Sequence, residues 1–91
     1  MKRELTQARD LGPIVRAVRK VQGIRQDDAA GSIGVSENFL GKIERGGEAV
    51  QWGKLFHVLH GLGIKVILDI PDEAAQRLPP AASADEGSPW P

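Results

Sequence analysis

The stretch "GVSENFLGKIERG", residues 34–46, decides how this chain is read. Gly34 is free to take the positive φ of a tight turn. Ser36 is placed to cap a helix, and Glu37 falls in its first turn, where the helix dipole favours negative charge. Leu40 and Ile43 recur at helical spacing and point to one face, with Val35 beside them. Two glycines, Gly46 and Gly47, end the run. The product is a short helix with an apolar back and a front of Glu37, Asn38, Gly41, Lys42 and Arg45.

Working outward, residues 26–32 predict a second short helix just before the turn. Asp27 and Asp28 sit in its first turn. Ala29, Ala30 and Ile33 are its apolar positions, and Ala29 must be small for the two helices to cross closely. Two short helices joined by a glycine turn make a helix-turn-helix. Upstream, Leu11, Ile14, Val15, Val18 and Val21 form one apolar stripe, predicting a helix over 11–22. Asp10 reads as its N-cap, Pro13 lies in its first turn and Gly23 is its stop. Arg16, Arg19 and Lys20 lie off the stripe, as a solvated face or a phosphate clamp.

Downstream, residues 50–62 predict a fourth helix. Leu55, Val58, Leu59 and Leu62 are its stripe, and Trp52, beside Phe56, is read as a core or dimer contact. "IKVILDI", residues 64–70, then alternates at strand period. A lone strand leaves its edges unpaired, and a second copy of the chain is the simplest remedy. Ile64, Val66, Ile67, Leu68 and Ile70 are the candidate dimerisation residues. Residues 71–91 are rich in Pro, Ala, Ser and acids, the composition of a disordered tail. Within it Trp90 is either incidental or an anchor for a partner's pocket. The expected organisation is an arm (1–9), a helical domain (10–63), a dimerisation strand (64–70) and an acidic tail (71–91).

The chain has 91 residues and a formal net charge of zero. That zero averages two unlike parts. Residues 1–65 hold eleven Lys and Arg against seven Asp and Glu, a net +4; residues 66–91 hold one against five, a net −4. A basic body of this kind hints at nucleic acid. There are no cysteines, which excludes disulfides, thiol catalysis and cysteine-bound zinc. No apolar run approaches the roughly 18 residues of a membrane span, and no signal-peptide pattern follows the basic start. A cytoplasmic location is expected. His57 and His60, at i, i+3, lack a third ligand, so no metal is expected, and no cofactor. No acid–base pair, nucleophile or phosphate loop points to catalysis.

"LGPIVRAVRKVQGIRQDDAAGSIGVSENFLGKIERGG" resembles the Xre/Cro-repressor type of helix-turn-helix. The resemblance rests on Leu11-Gly12, Arg19, Gly23, Gln26, Ala30, Gly34-Val35-Ser36, Ile43-Glu44 and Gly46. The continuation "LFHVLHGLGIKVILDI" is similar to the HipB-like antitoxins, in which a short strand follows the fourth helix. The resemblance implies an all-α, lambda-repressor-like domain of four or five helices, with one C-terminal β-strand pairing across a dimer. It also implies roles by position. Gln26 would bind phosphate, with Arg25 and Arg45 near it. Ser36, Glu37, Asn38 and Lys42 would face base edges, Asn reading adenine and Lys guanine, and Phe39 would touch a thymine methyl. Glu37 has a second reading, as a dipole partner at the helix start. Glu44 would tie neighbouring elements together through hydrogen bonds or a nearby Arg.

Four positions depart from the family's pattern. Arg25 stands where a capping Thr is usual, Ala29 replaces a common Leu, Gly31 sits mid-helix at a cost of ~1 kcal/mol, and Gly41 replaces a long polar side chain on the reading face. The function implied is that of an operator-binding autorepressor, the antitoxin of a HipA-type serine/threonine kinase. Two alternatives stand beside it: a repressor acting alone, and a module that holds a partner enzyme without binding DNA.

Overall fold

The computed structural model describes residues 1–79. A 3-10 turn, Ala8–Asp10, leads directly into α1 (Leu11–Val21), followed by α2 (Gln26–Ile33), α3 (Glu37–Glu44), α4 (Trp52–Gly61) and the single turn α5 (Asp72–Ala75). The predicted helices are all present, within two residues at each end. Trp90 and the other residues of the acidic tail from 80 onward lie outside the described residues.

Three helix ends are built alike. Gly23, Gly34 and Gly63 take φ of 71°, 92° and 78°. The apolar residue after each glycine donates its N–H back to a carbonyl of the last turn: Ile24 to Arg19, Val35 to Ala30 and Ile64 to Leu59, at 3.2, 3.0 and 2.9 Å. The same three side chains pack against the core. Each Gly-apolar pair thus satisfies orphan carbonyls and turns the chain inward.

Val15, Leu40 and Val58, all fully buried, are the centre of the core. Ala29, Ala30, Ile43, Leu59 and Leu62 surround them. Ala29 and Ala30 are 1% exposed, so nothing larger than a methyl fits where α2 meets its neighbours. Gly12 is tighter still. A Cβ there would lie 2.7 Å from the Ile43 carbonyl and 2.8 Å from that of Glu44, so α1 touches the end of α3 backbone to backbone.

The single chain departs from the sequence reading at several points. Asp10 does not cap α1. Its carboxylate reaches back to the Thr6 hydroxyl and the Thr6 and Gln7 N–H groups, closing the turn that precedes α1. These hydrogen bonds, the Thr6 hydroxyl first, hold Asp10 below its ordinary pKa. Val21, the last residue of α1, is 89% exposed, although Val18 and Arg19 of the same turn pack inward. No strand forms among the described residues: 64–71 lacks secondary structure, since one chain offers it no second strand. Ile64 instead belongs to the domain, half-buried against the core. Val66, Ile67, Leu68 and Ile70 are exposed, at 48%, 64%, 75% and 38%. The tail read as disordered opens on one helical turn, α5.

Candidate nucleic-acid interface

Helix α3 is held at both ends. At its start the Ser36 hydroxyl accepts the Phe39 N–H at 3.0 Å, satisfying one orphan donor. At its end the Glu44 carboxylate meets the Arg19 guanidinium: Nε donates to Oε2 at 2.7 Å and Nη2 to Oε1 at 2.8 Å. The third Arg19 donor, Nη1, reaches the Ile24 carbonyl at 2.9 Å. One guanidinium therefore ties α1, the α1–α2 loop and α3 together. Both side chains are buried, 9% and 4% exposed. The Arg19 hydrogen bonds hold the Glu44 carboxyl below its ordinary range against the effect of burial, with the charges of Arg19 and Arg16 and the Gln26 side chain adding to them. Arg19 is raised by the same hydrogen bonds.

This corrects the placing of Arg19 off the apolar stripe. Leu11, Val15 and Arg19 are spaced i, i+4, i+8, so Arg19 shares the inward face. That spacing was the available signal; its charge hid it. Glu44 has the tying role the resemblance implied.

The front of α3 leaves Glu37, Asn38, Lys42 and Arg45 exposed, with Ser36 at its head. Lys42 is exposed but not free. Its ammonium donates to the Ala49 carbonyl at 2.8 Å, and its stem lies across Gly47, where a Cβ would come within 2.6 Å of the Lys42 Cγ. Phe39 is half-buried against the core, with the Lys54 ammonium 5.9 Å from its ring centroid. Arg25, at the start of α2, pairs with Asp27 at 3.2 Å, an exposed contact of little strength.

Gly41 is not an open position. It is buried, and the point where its Cβ would lie is 2.9 Å from Arg45 Nη1 and 3.4 Å from Gln26 Oε1. Arg45 therefore folds back one turn over α3, and Gln26, from the start of α2, flanks the same point above the glycine. The structure brings Gln26 and Arg45 to that point. It takes Lys42 toward the α3–α4 loop, and it leaves the apolar residues of 66–70 elsewhere, next to α4. Sequence reasoning missed the Arg45–Gly41 contact; the i, i+4 spacing of the two residues was its signal.

On α4, Trp52 stacks on Phe56 with ring centroids 5.1 Å apart, and Trp52 is 69% exposed. It is not a core residue. Phe56, Leu59 and His60 line an open groove whose other wall is residues 64–67. His57 lies against the end of α2, its Nε2 2.9 Å from the Ile33 carbonyl. No helix among the described residues is long and apolar enough to cross a membrane.

The chain is 42% identical over 64 residues to an uncharacterized HTH-type transcriptional regulator, y4mF, of Sinorhizobium fredii, covering 70% of this chain and 84% of that protein. The chain belongs to the helix-turn-helix transcriptional regulators. Within that family it is of the Xre-like kind, and its fold is HipB-like. A chain of the HipA-HipB-O2-O3 complex superposes with a TM-score of 0.69 at 19% identity, over 76% of this chain and 97% of the other. The clp gene regulator ClgR of C. glutamicum is 32% identical with a TM-score of 0.58, over 71% of this chain and 85% of its own. The restriction-modification controller protein C.AhdI of Aeromonas hydrophila gives 24% and 0.55, over 64% and 86%. No model of a protein family matches the chain.

Proposed function

We propose that this regulator binds operator DNA as a two-fold dimer, inserts α3 into the major groove and represses its own operon. The observation that carries the reading is the mounting of α3. It is capped, locked by a buried ion pair, and exposes Glu37, Asn38 and Arg45 on the side away from the core. A rigid helix of this kind is what base-edge readout requires. Likeness of fold to HipB, solved in complexes named for O1, O2 and O3, supports it. In a dimer the two copies of α3 would enter half-sites about 34 Å apart.

The dimer would form through residues 66–70, whose apolar side chains are exposed beside the α4 groove. Pairing with a second copy would satisfy the free backbone groups and cover those side chains. The finer assignment is that of an antitoxin partnered by a HipA-type kinase, for which the HipB-like fold is the support.

The decisive experiment is a titration of labelled upstream DNA at several salt concentrations. Specific binding that weakens steeply as salt rises is the expected result. Absence of binding at low salt, with a partner enzyme still captured, would establish the interaction-module reading instead. Asn38→Ala should weaken specific binding by ~1–3 kcal/mol. A kinase-like reading frame beside this one, whose product co-purifies with the chain, is expected for the antitoxin; its absence would leave a repressor acting alone.

A further inference from the structure

We infer that Gly41 is a seat for the Arg45 guanidinium, and that Arg45, held over it, reads a guanine in the operator. The inference rests on the DNA-binding reading above and adds the residue that sets specificity. A helix turn separates positions 41 and 45, so a side chain that folds back from 45 lands on 41. At 41 there is no side chain to obstruct it. Arg45 Nη1 lies 2.9 Å from where a Cβ would stand, and Gln26 Oε1 flanks the same point at 3.4 Å. Glu37 and Gly41 continue the same line along α3, so the guanidinium is carried from the end of the helix to the middle of its exposed front.

Among the described residues the guanidinium carried there has no ion-pair partner within 4 Å. The ion pairs among those residues are Arg19–Glu44 and Arg25–Asp27. Glu44, the carboxylate adjacent to Arg45 in sequence, is consumed by Arg19 through both its oxygens. Lys42, the cation within α3, is turned to the Ala49 carbonyl. Arg45, the C-cap residue of α3, thus forms no ion pair among the described residues. A planar guanidinium on the front of a groove-binding helix matches guanine O6 and N7, which accept two parallel hydrogen bonds. Gly41 is then a component of the reading face.

The test is a set of operator duplexes in which each base pair is changed in turn, titrated with the full chain and with Gly41→Ala, Arg45→Ala and the double variant. Alanine is the better helix former, and the nearest atoms to its methyl are the mobile end of Arg45 and the Gln26 amide, so Gly41→Ala should remain folded. A melting curve checks this. Arg45→Ala removes an exposed side chain and should fold equally well. The wild-type chain should prefer one G·C pair per half-site by about 5- to 150-fold over its replacements. Both single variants should lose that preference at the same pair while retaining it elsewhere, and the double variant should lose no more than Arg45→Ala alone.

Two results would overturn the inference while leaving DNA binding intact. One is uniform weakening across all duplexes with a shallower salt dependence, the signature of a phosphate contact. The other is a Gly41→Ala variant whose base preferences match wild type. If the wild-type chain binds no duplex at any salt, the functional reading itself fails.

Discussion

Arg19 and Glu44, 25 positions apart, meet through two parallel hydrogen bonds of 2.7 and 2.8 Å, and this pair fixes the end of α3 against α1. The desolvation that makes such a pair costly also makes its loss costly, because removing one partner strands the other. Arg19→Met should destabilise the domain by ~3 kcal/mol in urea unfolding. Arg16→Met, one turn away and exposed, should fall within about 0.5 kcal/mol of wild type. Equal effects of the two would mean that the pair contributes nothing beyond a surface contact.

The same pair sets an acid limit. Glu44 is held below its ordinary pKa by Arg19, so the unfolded state binds its proton more readily than the folded one. The stability it confers is complete above the ordinary glutamate range, about 4.3, and is lost as pH falls through the lowered folded value. Melting temperature followed from neutral to acid pH should therefore drop more steeply for wild type than for Glu44→Gln. Asp10, shifted in the same direction, remains in both proteins, so their difference isolates Glu44.

Gly12 and Gly31 should respond oppositely to alanine. A Cβ at Gly12 would lie within 2.9 Å of three backbone atoms at the end of α3, none of which can swing aside. Gly12→Ala should cost more than about 2 kcal/mol despite the better helix propensity of alanine. At Gly31, inside α2, nothing lies within 4 Å. Gly31→Ala should stabilise by up to ~1 kcal/mol. Chemical denaturation of the two variants provides the comparison.

Charges placed in residues 66–70 should separate folding from association. Val66 and Leu68 are 48% and 75% exposed in the single chain, so Val66→Glu with Leu68→Glu should leave the protomer folded. Sedimentation at micromolar concentration should then find a monomer where wild type is a dimer. A dimer that survives both charges would put the two-fold contact elsewhere, the exposed Trp52–Phe56 stack being the next surface to test.

Much of the fold was legible in the sequence, because its signals act within a few residues. The Ser36 cap, the positive φ of Gly34, the small residues at 29 and 30 and the Leu40–Ile43 pair each report on their own turn of chain. The candidate site was less legible. Its exposed residues could be named, but not which of them were already engaged.

What the sequence determined by itself was the order of helices, their caps and stops, and the family to which they belong. Only the tertiary structure decided that Arg19 is buried, that Asp10 closes the preceding turn, that Val21 stays in solvent and that Lys42 is held at Ala49. It alone filled the space above Gly41 with Arg45 and Gln26. The physical reason is one of range. A helix start is set by neighbours three or four positions away, whereas the burial of a charge depends on whether a partner 25 positions along the chain arrives to neutralise it.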